Sequence, residues 1–256
     1  MITLDTQFPI AYESDDHRFP WGTRTSNANN GYFRAKLLRL FDENINWALL
    51  DLGCSGGAFV ESLHEMGVAA VGIEGSDYSW KNKRGSWSKL GGHRLFTSDI
   101  TKPFSLRLHD VPMMFDVITA WDVLEHLHRG DFATTFENVH RHLKNEGICI
   151  FSVATVSDCV NGVELHKTIM SRNHWEGIFI EYGFEPVVGL KHYLAGHSAR
   201  GRRLDESTGF NIVLKKKGTS PRATAPIVGN FEKIADRFIG SKVQKKLKSL
   251  ITGEQL

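Results

Sequence analysis

The chain has only three cysteines in 256 residues, Cys54, Cys149 and Cys159, and no two of them form a C-x-x-C pair. That excludes a disulfide framework and a zinc knuckle, and it predicts reduced thiols in a cytoplasmic protein. No apolar run reaches the roughly 18 residues that a membrane span requires. The opening stretch MITLDTQFPIAYESDDH has no basic segment leading into an apolar one, so no secretory leader is expected. There is no internal repeat, no low-complexity tract and no G-x-G-x-x-G run. A large excess of one charge is also missing, since the formal net charge is +2. The small excess is unevenly spread. Residues 215–256 carry ten Lys or Arg against three Asp or Glu, a balance of +7, which leaves −5 for the rest of the chain. A nucleic-acid binder usually carries its basic face on the folded body, so nucleic acid is not the expected partner. The absence of an Asn/Asp-Pro-Pro-aromatic motif argues the same way against chemistry on base amines.

What is present is an alternation of strand and helix patterns. Hydrophobic residues make up 41% and charged residues 23%, ordinary values for a soluble globular chain. Helical spacing starts near Tyr32. Strands are expected at Ala48–Leu52, Val68–Ile73, Arg94–Thr97, Phe115–Ala120, Gly147–Val153, Phe184–Leu190 and Phe210–Lys215. Helices are expected at Ala58–Met66, Tyr78–Leu90, Asp131–Leu143 and Asn173–Tyr182. Such alternation implies βαβ units and an α/β, Rossmann-like, seven-stranded sheet, mostly parallel, with an antiparallel pair formed by the last two strands. Residues 1–30 read as irregular, and Lys191–Thr208 as a long polar loop of the kind that often serves function.

The stretch LLDLGCSGGAFVESLHEMGVAAVGIEGSD, residues 49–77, carries the clearest signal. A strand runs into Gly53-Cys54-Ser55-Gly56-Gly57, and a second strand stops at Glu74. Ligands bind at the C-terminal ends of strands in such sheets. Glycines there let a ligand approach bare backbone, and a carboxylate at the next strand end suits a ribose diol. The D-L-G-C-S-G-G sequence resembles the glycine loop of class I S-adenosylmethionine (SAM) dependent methyltransferases, D-x-G-x-G-x-G, with Ser55 in place of the middle glycine. The resemblance covers roughly residues 35–215 and continues in TSDIT, FDVITAWDVLEHL and LKNEGICIFSVAT. It implies SAM as cofactor, held by Asp51, Gly53, Cys54, Ser55, Gly57, Glu74, Gly75 and Trp121. It also implies Asp99 on the adenine amino group and Ile100 against the ring.

Methyl transfer to a hydroxyl calls for a base near the methyl group, and histidine suits neutral pH. His126, following Trp121-Asp122-Val123-Leu124-Glu125, is the leading catalytic residue and His166 the next. Trp21, Asp122, Glu125 and His174 are expected on the acceptor. No metal is expected, because two acids one helical turn apart, as Asp122 and Glu125 are, are more often solvated or capping. The N-terminal stretch YESDDHRFPWGTRTSNANN reads as a lid. Together with His166, Lys167, Thr168, Trp175, Gly183 and Phe184 it is similar to methyltransferases of bacterial surface-polysaccharide clusters. That resemblance implies a sugar or nucleotide-linked small-molecule acceptor in capsule or O-antigen synthesis. A natural-product N- or O-methyltransferase, or an inactive SAM-fold interaction protein, are the alternatives. Three regions follow: a lid at 1–34, the methyltransferase domain at 35–218, and a basic linker with an amphipathic helix at 219–256. The helix, which carries one apolar stripe, is expected to dock on the acidic body or on a second subunit, with an anionic membrane surface as the other reading.

Overall fold

Largely apolar segments become strands covered on both faces. Ala48–Leu52 and Phe115–Trp121 are buried throughout, the pattern of central parallel strands between helical layers. The computed structural model describes residues 1–42, 45–203, 206–240 and 244. Its main sheet has seven strands in the order Phe184–Pro186, Gly209–Lys216, Leu143–Ala154, Phe115–Trp121, Ala48–Leu52, Ala69–Glu74 and Leu95–Thr97. The five strands from Leu143–Ala154 to Leu95–Thr97 run parallel. Gly209–Lys216 is antiparallel to both of its neighbours, so the expected α/β fold with an antiparallel strand pair is what the chain forms. Alternate residues feed opposite faces: Leu50, Leu52 and Ile118 join one core, Leu49 and Val117 the other.

The helices, in chain order, are α1 (Asp15–Arg18), α2 (Trp21–Thr25), α3 (Gly31–Arg39), α4 (Ala58–Glu65), α5 (Tyr78–Lys81), α6 (Trp87–Leu90), α7 (Phe132–His142), α8 (Arg172–Glu181), α9 (Val188–Leu194) and α10 (Asn230–Phe238). Several expectations are corrected. The single helix expected over 78–90 is broken into α5 and α6, because Lys83 and Gly85 adopt φ of 48° and 54°, which no α-helix contains. The strand expected to reach Leu190 stops at Pro186, which has no N–H for the ladder. Residues 188–194 then form α9, which buries Leu190, Tyr193 and Leu194. The long loop expected from 191 therefore begins inside a helix, and it holds a two-residue ladder pairing His197–Ser198 with Gly201–Arg202. The N-terminal residues are not irregular: Ile2–Thr6 pairs antiparallel with Phe104–Leu108.

The C-terminal helix docks, but not as its stripe suggests. In α10, Asp236 Oδ1 lies 2.8 Å from Lys36 Nζ and accepts from Tyr32 OH at 3.0 Å, and Glu232 meets Arg39 at 2.5 Å. Phe231, Ile234 and Phe238 are exposed. Acidic residues thus face α3 and the apolar stripe faces away. Lys242, Lys245, Lys246 and Lys248, with the rest of the expected helix, lie outside the described residues. Lys36 is 2% exposed, and a buried charge stripped of its partner costs about 3–5 kcal/mol. Removing residues 219–256 is therefore expected to lower the melting temperature by roughly 6 °C or more, given about 2–4 °C per kcal/mol for a domain of this size. A melt within a degree of the full chain's would show that Lys36 is satisfied without α10.

Candidate active site

The parallel strands end along one edge, and the loops that follow them enclose a cleft of about 910 Å³. Gly53 has φ of +72°, and a Cβ there would lie 2.5 Å from Val123 Cγ2, so only glycine fits. Gly57 has φ of +81°, with Leu95 Cδ1 2.5 Å from where a Cβ would stand. Ser55, at the expected glycine position, also adopts a left-handed φ of 49°. That conformation costs a non-glycine residue roughly 1–2 kcal/mol. Three bonds offset it. Ser55 N–H donates to Glu74 Oε2 at 2.7 Å, its hydroxyl donates to the Ser26 carbonyl at 2.7 Å, and its carbonyl accepts from Trp87 Nε1 at 2.6 Å.

Of the residues expected to hold SAM, Asp51, Gly53, Cys54, Ser55, Glu74, Gly75, Asp99, Ile100 and Trp121 all line the cleft. Gly57 instead stands behind the loop, at the N-terminus of α4. Burial pushes the Asp51 carboxyl up to about 7, against the pull of the Thr119 hydroxyl that donates to it at 2.7 Å, and the Glu74 charge adds to the rise. Burial raises Glu74 as well, although its oxygens accept from Ser55 N–H and, at 3.2 Å, from Ser76 N–H. Two buried acids a loop apart favour a cationic ligand. Cys54 is buried and its thiol is pushed well up by that burial, so it packs and does not act as a nucleophile. Asp99 Oδ1 accepts from the Thr101 N–H and hydroxyl at 2.9 and 2.7 Å, which fixes the carboxylate at the cleft wall.

At the other end of the cleft the chain leaves Phe115–Trp121 through Asp122, whose φ is +53°, into a 3-10 turn at Leu124–His126. Asp122 is engaged by the Ser152 hydroxyl at 2.7 Å, Arg200 at 3.1 Å and Arg203 at 3.0 Å. His126 Nδ1 lies 2.9 Å from Asp16 Oδ2, a charge contact whose angle is poor for a hydrogen bond. Burial pulls the His126 pKa down, but Asp16 and Glu125 outweigh it and the net shift is upward. His166 is buried, its ring is edge-on to His126 at 4.8 Å, and its Nδ1 lies 2.5 Å from the Val156 carbonyl. Glu125 is fully buried and forms the wall behind the cleft. Its Oε1 accepts from Ala154 N–H at 2.7 Å. Burial, then the Asp122 charge, push its carboxyl up to about 7. Glu125, His126 and His166 each offer a ligand atom within 4.8 Å of the others, a cluster the sequence did not suggest. His174 is not brought to the cleft: it is exposed, with Nδ1 2.7 Å from Ser171 Oγ at the start of α8. Asp16, a polar residue of the expected lid, and Arg200, which sequence reasoning missed, line the cleft instead.

The family model described as a methyltransferase domain matches residues 26–212. The chain belongs to the methyltransferase-domain family. No curated protein matches it in sequence. Among solved structures it is similar to a Burkholderia thailandensis 1,6-didemethyltoxoflavin-N1-methyltransferase, with 15% identity over 79% of this chain and 84% of that one, at a TM-score of 0.51. It is also similar to a SAM-dependent methyltransferase from Clostridium acetobutylicum, with 13% identity over 81% and 99% of the two chains, at a TM-score of 0.51. At such identities the likeness is one of fold.

In this methyltransferase residues of the N-terminal arm line the cleft. Ala11 N–H donates to the Gly75 carbonyl and Asp99 N–H to the Phe8 carbonyl, both at 2.9 Å, and Trp21 stands at the cleft rim. The asparagines that follow tie the arm down. Asn27 Oδ1 accepts from Ala58 N–H at 3.0 Å and so caps α4, a role that Gly57 lacks the side chain to fill. Asn29 Oδ1 accepts from the Ser62 hydroxyl at 3.0 Å, and Asn30 caps α3. Losing an N-cap costs about 1 kcal/mol. Asn27→Ala is thus expected to lower the melting temperature by about 2–4 °C. Calorimetric melts of the two proteins check it, and coincident curves would mean that the α4 terminus does not depend on the arm.

Proposed function

We propose that the protein transfers a methyl group from SAM to a hydroxyl of a sugar or sugar-linked small molecule, in bacterial capsule or O-antigen synthesis. The observation that carries this reading is the convergence of His126 and His166, with Asp16 beside them, on the end of the cleft beyond Trp121. Sulfonium methyl transfer is an in-line displacement, so the enzyme's task is to align the nucleophile and deal with its proton. An alcohol needs that help more than an amine does, and the imidazoles stand ready to give it. Asp51 and Glu74 supply negative charge for the cofactor's amine and sulfonium, and Glu74 also accepts from its ribose.

A natural-product acceptor is the second reading; the cleft is large enough for one. Incubating the protein with SAM and a panel of nucleotide sugars, with mass detection of one added methyl, tests the first reading. Transfer to none of them, together with transfer to heteroaromatic amines, would replace it. A thermal shift with SAM but no transfer to any acceptor would favour an interaction protein. The exposed stripe of α10 supports association with a membrane surface or a second copy, and salt-sensitive liposome sedimentation distinguishes these. Among the described residues no helix is long and apolar enough to cross a membrane.

The raised acids give a pH dependence. A carboxyl with its pKa near 7 holds a proton below that pH, and a cationic ligand must expel it. SAM affinity is therefore expected to rise from pH 5 to pH 7 and level off above, by up to about tenfold per unit through Asp51, with the raised Glu74 carboxyl acting in the same direction. Calorimetry in buffers of differing ionisation enthalpy should show proton release at pH 6. A flat affinity profile would mean that Asp51 and Glu74 are already ionised in the free protein.

A further inference from the structure

We propose that Glu125, His126 and His166 hold a divalent cation of the Mn²⁺, Co²⁺ or Zn²⁺ class, which binds the acceptor hydroxyl. The three residues come from two segments, the turn after Phe115–Trp121 and the stretch after Leu143–Ala154, and their ligand atoms already lie within 4.8 Å of one another. Bonds of about 2.0–2.2 Å to one cation place such atoms roughly 3–3.5 Å apart, so side-chain rotations that close them by about an ångström complete the site. The surroundings are those of oriented ligands. Ala154 N–H occupies Glu125 Oε1, the Val156 carbonyl takes the His166 Nδ1 proton and leaves Nε2 its lone pair, and Asp16 flanks His126 Nδ1. Metal-bound imidazoles are positioned by just such partners. Glu125 Oε2 has no partner among the described residues, although the residue is fully buried. A buried carboxylate oxygen left unpaired needs an explanation, and a cation supplies one.

Two imidazoles with one carboxylate suit borderline cations better than Mg²⁺ or Ca²⁺, which prefer oxygen. Three protein ligands leave positions open, and His126 and His166 line the cleft. A hydroxyl oxygen bound there becomes more acidic. Its proton passes to water in the open cleft and a lone pair on the oxygen forms the O–CH₃ bond. The C–S⁺ bond breaks with its electron pair going to sulfur, leaving S-adenosylhomocysteine. This chemistry rests on the hydroxyl reading above; the binding of the cation does not.

The test therefore begins without an acceptor. Chelator-treated full-length protein with S-adenosylhomocysteine is titrated with Co²⁺, followed by visible absorption, and with Mn²⁺, followed by the paramagnetic resonance of the free ion. One bound equivalent is expected, weakened at least tenfold in Glu125→Gln and in His166→Ala, and unchanged in His174→Ala. S-adenosylhomocysteine affinity and a cooperative melt confirm that each variant is folded. No stoichiometric binding, or binding indifferent to both variants, overturns the proposal. With acceptors added, transfer abolished by chelator and restored by Mn²⁺ supports it. Transfer unaffected by chelator overturns it and leaves the hydroxyl reading in place, with His126 as a simple base. Cation binding with no transfer to any hydroxyl sustains the site while removing that reading.

Discussion

Replacing Glu74 by alanine is expected to weaken SAM binding tenfold or more. The carboxylate ends the strand Ala69–Glu74 and faces the cleft from beside the glycine loop. In the proposed role a ribose diol would give it two hydrogen bonds, and bonds to a charged group contribute roughly 1.5–3 kcal/mol each. The same carboxylate holds the backbone N–H groups of Ser55 and Ser76, so the substitution also releases the strained left-handed turn at Ser55. Glu74→Gln separates the two effects. It keeps an acceptor for one N–H but loses the charge, and it should bind SAM between the wild type and the alanine variant. Calorimetry on both, with melting curves to confirm the fold, gives the answer. Wild-type affinity in Glu74→Ala would remove the residue from the ribose role.

The glycine-loop end of the cleft was legible because it is local. D-L-G-C-S-G-G and the acid that follows lie within one βαβ unit, where spacing along the chain fixes position in space. The His126 end is assembled over long range and was only partly legible. His126 and His166 were visible as residue types after strand ends. Asp16 reaches His126 from 110 positions earlier, and Arg200 and Arg203 reach Asp122 from about 80 positions later; no local pattern encodes such meetings. His174 misled because the helix phase was not applied to it. In α8, Trp175, Ile178 and Phe179 form the buried face, and a residue one position before Trp175 is rotated about 100° away from it. The strand Ile2–Thr6 was missed for a similar reason. It alternates cleanly but is only five residues long, and its partner lies about 100 positions along the chain.

His126→Ala should lower kcat by about 10²–10⁴ with SAM affinity nearly unchanged, the range expected when a group that handles the reacting proton is removed. His126 lines the acceptor end and not the glycine loop, so a loss confined to kcat is the signature of its role. Asp16→Asn should show a smaller loss, because the imidazole remains while its flanking charge is gone. His166→Ala divides the remaining possibilities. A simple base at His126 predicts a modest effect there, whereas two imidazoles sharing a cation predict losses of similar size in both variants. Excess Mn²⁺ sharpens the distinction: it restores part of the turnover of a variant that has lost one ligand of three, and does nothing for one that has lost its base. Turnover within a few-fold of wild type in His126→Ala, with His166→Ala inactive, would move the activation of the hydroxyl to His166.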